Sequence, residues 1–200
     1  MDLHTHIANL LTYINAPNDT EFKSARIALM TFLSEEYQRL SAQSEGKFFL
    51  NDLFIEVSLQ HLNHNMLHYV IVIDAVINVD LGNKSFKANR IARDFINIGP
   101  STDPRVWRYA DAIFIWLLKH IVNSPRVFVT QFMERAFQWA NQGEKEATIT
   151  ALMIITMLLK NIPDVVFANY PTVEGILLQS FMENTPSVRS ASCLVFKAFL

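Results

Sequence analysis

Thr185-Pro186-Ser187-Val188-Arg189-Ser190-Ala191 decides the fold, because an earlier stretch repeats its plan. A hydroxyl residue suited to cap a helix precedes proline at the first helical position. Asp103-Pro104-Arg105-Val106 has the same layout, with aspartate as the cap. Pro104 and Val106 stand 82 residues before Pro186 and Val188, which is two periods of 41. Helix starts expected near Glu144 and Met66 fall close to the intervening and preceding multiples. Self-similarity at such a period marks stacked helical pairs. Ser124-Pro125 repeats the capping device, and Tyr170-Pro171 has the proline without the cap.

Working outward, apolar residues recur at three and four throughout the chain, which is helical spacing. Phe22, Ala25, Ile27, Ala28, Leu29, Phe32, Leu33 and Leu40 predict a helix over about 20–42. Further helices are expected near 47–63, 65–79, 84–98, 104–122, 125–141, 144–161, 171–183 and 186–200, with a short one near 3–15. Tyr69 to Val72 would pass for a buried strand, but helical spacing continues on both sides. Short connections imply that sequential helices form hairpins.

Composition excludes several classes. Half of the 200 residues are apolar and 18% are charged, against about 25% charged in an ordinary domain, which excludes intrinsic disorder. Only 5 glycines occur, where average usage gives about 14, so Gly-rich phosphate loops and turn-rich sandwiches are not expected. The net charge of −2 and pI near 6.3 argue against a general nucleic-acid binder. A single cysteine leaves no internal disulfide and no multi-cysteine metal site. The longest apolar run, Ala147 to Leu159, is short of the roughly 20 residues that span a bilayer. Met1 to His6 has no basic leader, and an intracellular, cytoplasmic location is expected. No cofactor is expected.

The expected fold is therefore all-α: a right-handed HEAT/armadillo-like solenoid of about five repeats over 1–200, with repeat starts near 20, 66, 104, 144 and 186. A helical hairpin cannot bury its apolar face alone and stacks on neighbours, which accounts for the apolar composition. Ala198-Phe199-Leu200 falls within an apolar helix without a polar cap. The solenoid is expected to continue beyond it, and this stretch of chain to self-associate.

Particular residues resemble the N-terminal HEAT region of target-of-rapamycin (TOR) kinases. The stretch Gly82-Asn83-Lys84, then Arg90, Ala92, Asn97, Pro100 and Asp103-Pro104, is similar to that family's Gly-Asn-basic turn, Arg-x-Ala helix and Asp-Pro helix start. Phe128-Val129 with Glu134-Arg135-Ala136-Phe137-Gln138-Trp139 resembles its Arg-Ala-Leu-Glu-Trp helix. Pro163, Phe167, Val188-Arg189, Lys197-Ala198 and Leu200 continue in order. Ile73-Asp74-Ala75-Val76-Ile77 and the turn from Ser41 to Glu45 extend the likeness upstream, so it covers roughly 20–200. Two features depart from the family. Ala147 and Thr148 stand where a basic pair is usual, and Val122-Asn123-Ser124-Pro125 replaces a Gly-Gly turn. The resemblance implies a scaffold that recruits a raptor-like regulatory subunit in a nutrient-signalling complex, peripheral at endomembranes. The serine/threonine kinase domain would lie elsewhere in the parent protein, since no Gly-rich loop, His-Arg-Asp or Asp-Phe-Gly triplet occurs here.

Several constellations invite a functional reading. Lys84, Lys87, Arg90 and Arg93 recur every third residue and predict a slanting basic stripe for an acidic partner. Phe128 and Phe132, one turn apart, are candidates to face a partner. Trp107, Trp116 and Trp139 read as core. His61, His64 and His68 would offer three imidazoles to zinc if they shared one helix. However, Asn63-His64-Asn65 reads as a turn, so a small helical metal protein is the alternative rather than the expectation. Glu35 and Glu36 are adjacent and point about 100° apart, which does not suit paired acid–base work. Cys193 is expected to be packed.

Overall fold

The computed structural model describes residues 3–15, 19–42, 45–82, 84–122 and 125–200. They are all-helical, with no strand among them. The helices are α1 (Leu3–Thr12), α2 (Asp19–Ser41), α3 (Gly46–Leu62), α4 (Met66–Asn78), α5 (Lys84–Phe95), α6 (Pro104–His120), α7 (Pro125–Ala140), α8 (Lys145–Asn161), α9 (Pro163–Ala168), α10 (Tyr170–Met182) and α11 (Pro186–Phe199). A 3-10 turn, Tyr13–Asn15, follows α1. The boundaries agree with helical periodicity within a few residues. Helix α9 was not anticipated. Ile162 ends α8, and Pro163 at once opens another turn, its fixed φ suiting a first helical position.

Capping explains where helices begin. The Asp103 carboxylate accepts the Arg105 amide at 2.8 Å, as the Asp-Pro signal predicts. Asn65 does the same for α4, accepting the His68 amide at 3.2 Å. Thr185 corrects the analogy: its hydroxyl makes no cap bond, and proline alone preorganises the start of α11. Ser124 and Asn83 lie outside the described residues.

The chain divides into two compact units, Met1–Asp94 and Phe95–Leu200. In the first unit, α2 and α3 pack on α4, and α1 packs on α2 and α3. In the second, α6, α7, α9 and α11 all pack on α8, and α10 packs on α9 and α11. Principal contacts thus join helices one to three places apart in sequence.

The 41-residue period is written into burial. Pro104, Lys145 and Pro186 each open a helix. Val106, Ala147 and Val188 are buried at the third position of these helices. One turn on come Ala110, Ala151 and Ser192, followed by Ile113, Ile154 and Val195, all buried. The same register in α4 gives Tyr69 and Val72, again buried, while its first member, Asn65, is the half-buried N-cap. The partner helices obey it too: Phe132, Ala136 and Trp139 of α7 match Val173, Leu177 and Ser180 of α10, every one buried. A residue in this register loses its aqueous contact to the neighbouring helix, worth about 1.5–3 kcal/mol for each large aliphatic side chain.

Helices α4 and α8 are buried almost all round, the pattern of a helix covered on several sides. The linker before α6 is tied down inside the second unit. The Ser101 amide donates to Thr150 Oγ1 at 3.0 Å. Trp107 Nε1 donates to the Ser101 carbonyl at 2.9 Å, and Trp139 Nε1 donates to the Ile98 carbonyl at 3.2 Å.

Candidate functional site

The basic stripe on α5 is broken at its second member. Lys84 and Arg93 are exposed and Arg90 is half-buried, but Lys87 is only 1% exposed. Lys87 stands 41 residues before Phe128, which is also buried. Its ammonium donates to the Val76 and Val79 carbonyls, both at 3.3 Å. The Val76 carbonyl is among those a helix leaves unpaired at its C-terminus, and Val79, just past α4, also accepts the Leu81 amide. Burial pushes the Lys87 pKa down. Lys87 therefore closes the end of α4 and offers nothing to a partner, and Lys84, Arg90 and Arg93 alone remain of the stripe.

Phe128 and Phe132 face inward, which corrects the outward expectation; they are 4% and 0% exposed. They stack on one another at 5.9 Å, and Phe132 stacks on Phe114 at 5.3 Å and on Phe95 at 5.5 Å. Helix α7 turns this row toward Phe95 and Phe114, where aromatic area is worth most when desolvated. The exposed apolar residue of this helix is Val127.

The three histidines are not brought to one point. The His61 ring lies against Tyr69 at 4.7 Å. His64 occupies the turn after α3 with φ of 55°, and His68 Nδ1 accepts from the Asn65 side-chain amide at 2.9 Å. Among the described residues no group of three His, Cys, Asp or Glu side chains is placed to hold a metal, so the zinc alternative loses its site. Burial pushes the His68 pKa down. Glu36 is committed to Arg39, which bonds both carboxylate oxygens. That hydrogen bond holds the Glu36 carboxyl below its usual range. Cys193 is exposed rather than packed.

Sequence reasoning missed a groove in the first unit. It has a volume of 540 Å³ and is lined by Leu3 of α1, Phe32, Glu36 and Leu40 of α2, and Glu45, Phe48, Phe49 and Asp52 at α3. Gly46 lets the helices converge there. A Cβ at Gly46 would meet Ser41 Oγ at 2.5 Å and Tyr37 Cε2 at 3.3 Å. The signal was present as i,i+4 pairs on either side of the 41–45 turn: Phe32 with Glu36, Glu36 with Leu40, and Phe48 with Asp52. A second hollow, of 640 Å³, lies in the other unit. It is lined mainly by Leu118, Val129, Ile162, Val165 and Ala168, with Arg126 and Asp164 at its edge.

The chain matches no protein-family model and no curated protein sequence. No helix among the described residues is long and apolar enough to cross a membrane.

Proposed function

We propose that this chain is a protein-docking scaffold of HEAT type, the N-terminal solenoid of a TOR-like serine/threonine kinase. The observation that carries the scaffold reading is the 41-residue burial register shared by α6, α8 and α11, and by α7 and α10. Repeated hairpins that bury one another in register form an extended spine whose outer ridges stay open to partners. Its mechanism is shape and surface rather than bond chemistry. The TOR assignment is supported by the ordered residues from Gly82 through Leu200. A raptor-like subunit of a nutrient-signalling complex is the partner that this resemblance implies, in the cytoplasm or at endomembranes. Kinase activity would belong to the parent protein. A HEAT or armadillo adaptor of another assembly is the competing reading.

The test is a pull-down with the 200-residue chain from source-cell extract, read by mass spectrometry. Recovery of a raptor-like subunit or another TOR-complex component is expected. Reproducible recovery of an unrelated assembly keeps the scaffold and discards TOR. A parent gene without a C-terminal kinase domain discards it equally.

A further inference from the structure

The groove between α1, α2 and α3 has two surfaces of opposite chemistry. Its floor is apolar: Leu3, Phe32, Leu40 and Phe49. Phe49 packs on Tyr37 at 6.3 Å, and the His6 ring covers Phe32 at 3.9 Å, so the floor is held in place. Its rim is acidic, formed by Glu36, Glu45 and Asp52. Arg39 pairs with Glu36 and its charge also acts on Glu45, whereas Asp52 makes no ion pair among the described residues. Phe48 stands at the edge with 69% of its surface in water, a costly place for a phenyl ring unless something covers it.

We infer that this groove docks a basic, apolar-centred peptide segment: one large aliphatic or aromatic side chain seated on the floor and lysine or arginine on either side of it. Charge complementarity selects the occupant. The carboxylate rim repels nucleic-acid phosphates and anionic lipid headgroups, and steers cationic chains inward. The volume of 540 Å³ suits a few side chains rather than a whole helix-on-helix interface, and Phe48 is placed to close over them. The inference deepens the scaffold reading by naming a partner chemistry, and rests on that reading only in requiring a protein ligand. It is independent of the TOR assignment.

The experiment pans a random 12-residue phage-displayed peptide library against the 200-residue chain, and then measures affinities of the enriched peptides by fluorescence anisotropy. Enrichment of sequences with paired Lys/Arg flanking a large apolar residue is expected. Asp52→Lys and Phe48→Ala should each weaken their binding at least about tenfold, and raising salt from 50 to 300 mM should weaken it several-fold. Both positions are exposed, and unchanged helicity by circular dichroism shows that the variants fold. The inference is overturned if no peptide is enriched, if the enriched peptides are neutral or acidic, or if both variants bind as the parent does. Because synthetic peptides replace cell extract, failure here leaves the pull-down result standing, and the reverse holds too.

Discussion

Helices α4 and α8 hold the same register in two units, and both are nearly surrounded, yet they satisfy their polar groups differently. In α8 the answers are mostly local: Thr148 and Thr156 donate to carbonyls one turn back, Glu144 O at 3.0 Å and Leu152 O at 2.8 Å. Thr150 reaches outside its helix, accepting from Ser101, and Asn161 at the helix end donates to Asp111 of α6. In α4 the charged partner comes from another helix, with Asn78 of α4 adding a local bond. Asp74, 3% exposed, pairs with Arg26 of α2 at 2.5 Å and accepts from Asn78 at 2.9 Å. Lys87 of α5 closes the end of the helix. A buried charge with one tertiary partner makes a core dependent on that partner, whereas a threonine bonded to its own helix carries its satisfaction with it.

The sharpest way to break this contrast is to remove the partner of Asp74. Arg26→Leu leaves a buried carboxylate without its cation and should cost about 3–5 kcal/mol. The loss should appear as faster amide exchange along α4. The three tryptophans, Trp107, Trp116 and Trp139, all lie in the second unit and should report little change there. Arg26→Leu with Asp74→Leu should recover much of the loss, since an apolar pair is tolerated where a lone charge is not. A single variant that costs under 1 kcal/mol would remove the basis of the contrast.

Lys87→Ala comes next, at about 2–4 kcal/mol, from the emptied volume and the exposed carbonyls of α4. Lys87→Met should lose less in the same urea titration, because the position is buried. Equal losses for the two variants would show that the ammonium, not the volume, matters.

On the α8 side, Thr150→Val should cost about 1–2 kcal/mol by orphaning the Ser101 amide. Trp107, bonded to the Ser101 carbonyl, should shift its emission, and α4 exchange should not change. An unchanged Trp107 spectrum would mean that the linker is held by other contacts.

The smallest effect is a pH dependence confined to α4. The folded pKa of His68 lies below its ordinary value of 6.5, so below that pH the unfolded chain binds the proton more readily. Stability should fall as pH drops through 6.5 and should not change above it on this account. The neutral ring accepts from Asn65 through Nδ1, the atom that protonation would block. His68→Gln should flatten the acid side of the urea midpoint profile. A profile identical to the parent's would show that another group titrates there.

Much of the fold was legible because its causes are local. The Asp103-Pro104 start, the threes and fours of apolar spacing, and the 82-residue offset between Pro104 and Pro186 are written within single helices. The structure extends that one offset to several buried positions of α6, α8 and α11. The candidate site was legible only in part. A pattern of every third cation could not reveal that Lys87 falls on a buried position, because the turn of α5 about its own axis is set by what it packs against. Phe128 and Phe132 were ambiguous for the same reason, since an i,i+4 aromatic pair suits a core or a docking face equally. The groove was missed because its i,i+4 pairs sit on two helices, and only the packing of those helices brings the acidic rim together.

The sequence by itself determined that this chain is helical, where most of its helices begin and end to within a few residues, and that helix starts recur near every 41 residues. Those outcomes follow from backbone geometry, capping and burial over a few neighbouring positions. Only the tertiary structure decided which charges are spent inside, on Asp74, Arg26 and Lys87, and which stand open at the rim of the groove. Exposure is a property of the surface left after packing, and packing joins residues whose separation along the chain no local pattern encodes.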